Sequence, residues 1–368
     1  MDKSLQILQQ DAIGLLKELI NTPSFSKQED QTAGIISRFL AVQGLVTSRI
    51  ANNVFAFNKY FDAAKPSVLL NSHHDTVKPN SGYTLDPFSA IEKDGKLFGL
   101  GSNDAGGPLV SLIATFIHFY EKQNLKYNLL LAATAEEEIS GSGGIEMLLN
   151  NEHFLKPLQQ KEIDCAIVGE PTQMQMAVAE RGLLVLDCIA HGKAGHAARD
   201  EGDNALNKAV EAIDWFRHYR FTKISDLLGE VKMNVTVIET DNKAHNVVPD
   251  QCRFVVDVRV NELYSFEEVL ATVRQNVQCE VKPRSTRMRS SSISLNHPLV
   301  KAGINAGRNY YGSPTTSDKA LMPFPALKMG PGDSARSHTA DEFIFIDEIK
   351  EGIGLYIEVL EQVIGVGD

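Results

Sequence analysis

Ser67-Val-Leu-Leu-Asn-Ser-His-His-Asp-Thr-Val77 sets the reading of the whole chain. Val68 to Leu70 has strand character and ends abruptly in two histidines and an aspartate. Alternation along an extended strand places His73 and Asp75 on one face and His74 on the other. Imidazole and carboxylate are the ligands that a borderline divalent cation such as zinc prefers. His73 is therefore a candidate metal ligand, with Asp75 orienting it from behind, as ligating histidines require. Alone, a His-x-Asp after a buried strand is more often a polar loop, so the decision rests on the other strand ends.

Working outward, residues 4–20 carry Leu5, Leu8, Ala12, Leu15, Leu16 and Leu19 at helical spacing, and a second helix is expected from about Glu29 to Gln43. Pro108 opens a further helix to about Tyr120. Tyr127–Thr134 and Cys165–Val168 are apolar strands, and Asp347–Ile364 is a closing helix. Strands alternating with helices predict an α/β catalytic domain with a largely parallel sheet flanked by helices. From Gly182 the pattern changes to strand, helix, strand, strand, helix, strand. That order predicts an inserted ferredoxin-like α+β module. The expected boundaries are 1–179 for the first part of the catalytic domain, 180–286 for the insert and 287–368 for the second part. The basic, Ser-rich stretch Arg284–Ser292 reads as the return linker.

The formal charge of −11 disfavours nucleic acid, whose binding relies on Lys and Arg neutralising phosphates. No run of about eighteen apolar residues is present, so no membrane span is expected. The N-terminal stretch reads as an amphipathic helix and not as a signal peptide. Cys165, Cys188, Cys252 and Cys279 are scattered, which fits a reduced cytoplasmic protein.

Three apolar strands end in histidine- or acid-bearing loops: His73 and Asp75, then Glu136 to Glu138, then Glu170. In an open α/β sheet, sites lie outside the carboxyl ends of the strands. Asp104, in a Gly-rich turn before a helix, and His338 are two further candidates. Taken singly, Asp104 reads as a helix cap, the glutamates as a solvated loop, Glu170 as a turn residue and His338 as a surface histidine. Their joint occurrence is what favours a site.

The motifs resemble those of the co-catalytic zinc aminoacylase and carboxypeptidase family, which includes acetylornithine deacetylase and succinyl-diaminopimelate desuccinylase. The resemblance rests on His73-His-Asp-Thr-Val77, Gly101-Ser-Asn-Asp104 with Gly106-Gly107, and Thr134-Ala-Glu-Glu-Glu138. It rests also on Gly169-Glu-Pro-Thr172, Asn246-Val-Val-Pro-Asp250 with Asp257-Val-Arg259, and Gly330-Pro-Gly332 through His338. It covers nearly the whole chain in order. The resemblance implies two Zn2+ ions, with Co2+ as a possible substitute, bridged by Asp104. His73 and Glu170 would complete one site, Glu138 and His338 the other, with Asp75 holding His73. Glu137 is the natural general base, because successive extended side chains point apart and its neighbour is a ligand. The insert would be a lid and a homodimer contact. His196 would stabilise the oxyanion across the dimer, with Asn246 helping, and Arg181 and Arg259 would clamp a substrate carboxylate.

Two departures touch no ligand: Ser72 stands where the family often has glycine, and Asp104-Ala-Gly-Gly107 lacks a common lysine. The implied activity is removal of an acyl group from an N-acyl amino acid, N-acetylornithine first, in arginine synthesis. Acetylcitrulline, succinylornithine, succinyl-diaminopimelate and dipeptides are alternative substrates. A non-catalytic binding protein would need a broken ligand set, and none of the positions is missing.

Overall fold

The strand Ser67–His73 is buried along its whole length. Parallel neighbours run on both sides, with Val68 opposite Leu129 on one strand and opposite Cys165 on the other. In this computed structural model, which describes residues 4–159, 161–199 and 201–365, the chain forms two compact units. The first contains the chain up to Val178, Ser292–Tyr311, and the part from Ser317 onward.

Its sheet runs Thr47–Ile50, Asn53–Phe57, Asn128–Thr134, Ser67–His73, Cys165–Val168, Ala326–Lys328 and Met176–Glu180. The middle four strands are parallel, but Asn53–Phe57 and Met176–Glu180 join antiparallel. The sheet is thus mixed, which corrects the largely parallel sheet expected. The periodicity of an apolar run reports burial and not direction, so the edge strands could not be oriented from it. On one face lie the helices Leu5–Ile20, Gly107–Tyr120 and Ile346–Ile364, packed on one another. Leu8, Ala12, Leu15, Leu16 and Leu19 of the first are buried as their spacing predicts, whereas Leu5 in its first turn is exposed. The other face buries Phe55, Leu69 and Leu130 against Ile145, Leu148 and Phe154. Each fully buried Leu or Phe there contributes about 1.5–3 kcal/mol.

The second unit comprises Ala179–Ser291 and Gly312–Thr316. Four antiparallel strands are ordered Lys232–Glu239, Gln251–Val260, Gly182–His191, Glu280–Pro283. That is the split βαββαβ arrangement. Leu184, Leu186, Cys188 and Ala190 alternate inward and pack with Phe216, Phe254 and Phe266. The helix Ala205–His218 is capped by Asn204, and Phe266–Asn276 by a Ser265–Glu268 capping box.

The expected boundaries shift in two places. The stretch read as a return linker lies along the second unit, with Leu183 donating to the Met288 carbonyl at 2.9 Å and Arg284 paired to Asp187 at 2.8 Å. Gly312–Thr316 also belongs there, because Arg181 donates to the Ser313 carbonyl at 3.3 Å and Thr316 Oγ1 to the Arg181 carbonyl at 3.0 Å. These bonds join segments far apart in sequence and leave no local signal. Among the described residues, no helix is long and apolar enough to cross a membrane.

Candidate metal centre

Seven of the sequence-derived residues meet in the first unit, at the carboxyl ends of its parallel strands. His73 is the last residue of its strand, and its imidazole is buried. Nδ1 lies 3.0 Å from the Asp75 carbonyl and 3.4 Å from the Asp75 carboxylate. Nε2 is buried with no hydrogen-bond partner and faces Asp104 at 3.4 Å and Glu170 and Glu137 at 3.9 Å each. An orphaned imidazole nitrogen costs about 1–3 kcal/mol unless something fills the place. Ligand atoms of His73, Asp104 and Glu170 lie within 4.8 Å of one another, and so do those of Asp104, Glu138 and His338. Asp104 belongs to both groups. Two imidazoles and three carboxylates around a shared aspartate are a fitting donor set for a pair of zinc-like ions.

The acids and bases perturb one another. Burial disfavours the His73 imidazolium, but Asp104, Asp75 and Glu137 outweigh it and hold its pKa well above the ordinary value. Burial also raises the Glu137 carboxyl well above the carboxylate range, helped by Glu170, Asp318 and Glu138 and opposed by His73. Hydrogen bonding to Glu138 raises His338 to about 9. The Asp104 carboxyl stays below its usual value despite burial, because His73, Ser337 and His338 favour its charged form.

Local structure explains the aim of each group. Glu136 has φ of +57°, after which Glu137–Ile139 form one turn of 3-10 helix. Glu137 and Glu138 therefore diverge around a helical turn and not along an extended strand, which corrects the reason for separating them. Their N–H groups donate to the Asp75 carboxylate at 3.0 and 3.2 Å, and the Glu136 N–H donates to Glu29 at 3.2 Å. Asp75 thus holds the glutamate pair as well as His73. Gly141 and Gly143 leave room for the Glu136 side chain, since a Cβ there would sit 2.1 and 2.3 Å from its carboxylate oxygens. His74 spends both ring nitrogens on Thr32 and the Asn52 carbonyl, at 2.9 Å each.

The remaining predicted residues belong to the second unit. His196 and Val247 are ladder partners, and the Ala197 N–H donates to the Asn246 carbonyl at 3.0 Å, so His196 and Asn246 share one exposed corner. The Arg181 guanidinium donates to the carbonyls of Glu230, Leu228 and Arg259. Arg259 forms two bonds to the Asp257 carboxylate, at 2.7 and 3.0 Å. Neither guanidinium is free in this arrangement to clamp a substrate carboxylate.

Among the described residues, four buried acids escaped the sequence reading: Glu29, Glu180, Asp318 and Glu342. Thr134 Oγ1 donates to Asp318 at 2.9 Å, and burial raises that carboxyl to about 6. Glu342 alternates with buried Ile344 ahead of the strand Phe343–Phe345, so inward placement of a charged residue was the available signal.

The model of Peptidase family M20/M25/M40 matches residues 69–362. Succinyl-diaminopimelate desuccinylase of Rickettsia bellii (strain OSU 85-389) is 25% identical, covering 95% of this chain and 96% of its own. Acetylornithine deacetylase of Proteus mirabilis (strain HI4320) is 28% identical, with 94% and 96% covered. The aminopeptidase PepT of Bacillus cereus shares the fold with a TM-score of 0.74 at 17% identity, covering 96% of this chain and 98% of its own. The YXEP protein of Bacillus subtilis, a dinuclear metal binding peptidase from the M20 family, also has a TM-score of 0.74, at 16% identity, with 98% and 100% covered. With the match spanning most of the strands and loops that carry the two triads, the chain belongs to peptidase family M20/M25/M40, a family of hydrolases.

Proposed function

We propose that the chain is a dizinc amide hydrolase that removes the acyl group from the α-amine of an N-acyl amino acid, N-acetylornithine foremost. The observation that carries this reading is the sharing of Asp104 by two ligand triads, with Glu137 beside them. His73, Asp104 and Glu170 would hold one ion, and Asp104, Glu138 and His338 the other. Zinc bound there would acidify the attacking water and polarise the scissile carbonyl.

The chain's own groups do the rest. Glu137 takes the proton of the attacking water at its carboxylate and later delivers it to the leaving amine. Asp75 fixes the His73 ring and the turn bearing Glu137 and Glu138. His196, with Asn246 beside it, donates to the developing oxyanion, and a homodimer through the second unit is part of the same reading.

The relatives named for desuccinylation and for deacetylation differ little in identity, so a dicarboxylic acyl group is the second reading. N-acetyl and N-succinyl derivatives of ornithine, citrulline and diaminopimelate, with dipeptides alongside, should be ranked by kcat/KM with and without a chelator. N-acetylornithine is expected to lead and all turnover to stop on metal removal. A leading succinyl substrate would replace the acetyl reading, and activity surviving complete metal removal would sink the dizinc one.

A further inference from the structure

We infer that Glu342 is a positioning residue for the metal centre, its carboxylate setting the backbone turn from which Asp104 reaches both ions. The inference rests on the dinuclear reading above. Glu342 is 2% exposed. Its Oε1 accepts the N–H of Asn103 at 2.8 Å and of Asp104 at 2.9 Å, and its Oε2 accepts that of Gly101 at 3.2 Å. Its own carbonyl accepts the Gly99 N–H at 3.0 Å. One residue therefore gathers four amide groups of the Gly99–Asp104 segment. A buried carboxyl group is costly unless donors such as these satisfy its oxygens.

Gly101 and Ser102 lead into a single π-type turn, Ser102–Gly106, and Gly101 has φ of +75°. The turn's own backbone bonds, from the Gly106 N–H to the Gly101 carbonyl at 2.9 Å and from the Gly107 N–H to the Ser102 carbonyl, do not involve Asp104. The Asn103 side chain supplies a second tie, donating to the Asp333 carbonyl at 3.0 Å and accepting the Asp333 N–H at 2.9 Å. That tie joins the turn to the loop bearing His338. Glu342 holds the main chain of Asp104 and leaves its carboxylate free for the ions.

The test is zinc binding to the metal-stripped protein, read by competition with a fluorescent chelator. In Glu342→Gln an NH2 group replaces one acceptor oxygen and confronts the backbone donors. Affinity is expected to fall about tenfold to hundredfold in both binding steps, because Asp104 serves both triads. The circular dichroism of the metal-free variant should match the wild type. Glu342→Asp keeps two acceptor oxygens with a shorter reach and should fall between the two; it carries the test if the glutamine variant does not fold. Wild-type affinity in a folded Glu342→Gln protein would overturn the inference. The titration contains no substrate, so failure to hydrolyse N-acyl amino acids would remove the substrate assignment alone. Failure of the wild type to bind zinc would remove both.

Discussion

Glu137 and Glu138 are chain neighbours with different surroundings. Glu138 lies 3.0 Å from His338 Nε2, while Glu137 lies 3.9 Å from the orphaned His73 Nε2. Glu137→Gln is expected to keep two equivalents of zinc by elemental analysis while kcat falls about 10²–10⁴-fold. Loss of an ion instead would exchange the two roles. Asp318 allows a test of burial. Its folded pKa is raised to about 6, above the ordinary 3.8, so between those values the folded state holds a proton that the unfolded state has released. Stability of the metal-free protein therefore declines through this group as pH rises from about 4 to 6. Asp318→Asn should remove that decline and gain on the order of 1–3 kcal/mol above pH 6, measured by urea unfolding across pH. No relative gain above pH 6 would contradict the assignment. At this scale the strand-end placing of His73, Glu138 and Glu170 was legible, because chemistry-bearing side chains interrupt apolar runs there, and Asp104 was legible as an acid in a Gly-rich turn before a helix. Glu29 and Asp318 were not, since their burial depends on partners far along the chain, such as Asn52 at 2.7 Å from Glu29 and Thr134 at 2.9 Å from Asp318.

Among the elements, the turns matter more than the strands they follow. Glu136 and His338 both have positive φ, at +57° and +59°, so two loops of the candidate centre carry a non-glycine residue in the left-handed region. Such residues cost about 1–3 kcal/mol each and persist only where the surroundings hold them. Gly101 shows the same demand met by glycine. A Cβ at Gly101 would lie 2.6 Å from Thr76 Cγ2. Gly101→Ala is expected to lower the melting temperature through about 1–2 kcal/mol of left-handed strain plus that clash, and to weaken zinc binding with it. An unchanged melting temperature would show that the turn has room to relax. Helices were legible from apolar spacing, as Leu8 to Leu19 show. The 3-10 turn at Glu137–Ile139 was not, because three acidic residues in a row carry no periodicity.

For the whole molecule, a dinuclear centre at the two triads would tie together segments from Ser67–His73 to the loop at His338, so metal should stabilise the fold by mass action. Chelation is expected to lower the melting temperature, and free zinc at a hundredfold excess over Kd to add about 2.7 kcal/mol per site, followed by calorimetry at several zinc concentrations. A melting temperature indifferent to zinc would contradict this. The two-unit plan was legible because hydrophobic period changes near Gly182 from buried runs to strict alternation. The excursion of Gly312–Thr316 into the second unit was not, since it is made by backbone bonds to Arg181. Nor was the mixed direction of the main sheet.

Anomalous diffraction from crystals of the zinc-loaded protein addresses the centre itself. Two peaks are expected, one ligated by His73, Asp104 and Glu170, the other by Asp104, Glu138 and His338, with Asp104 common to both. A single peak, or a pair that does not share Asp104, would contradict the dinuclear centre.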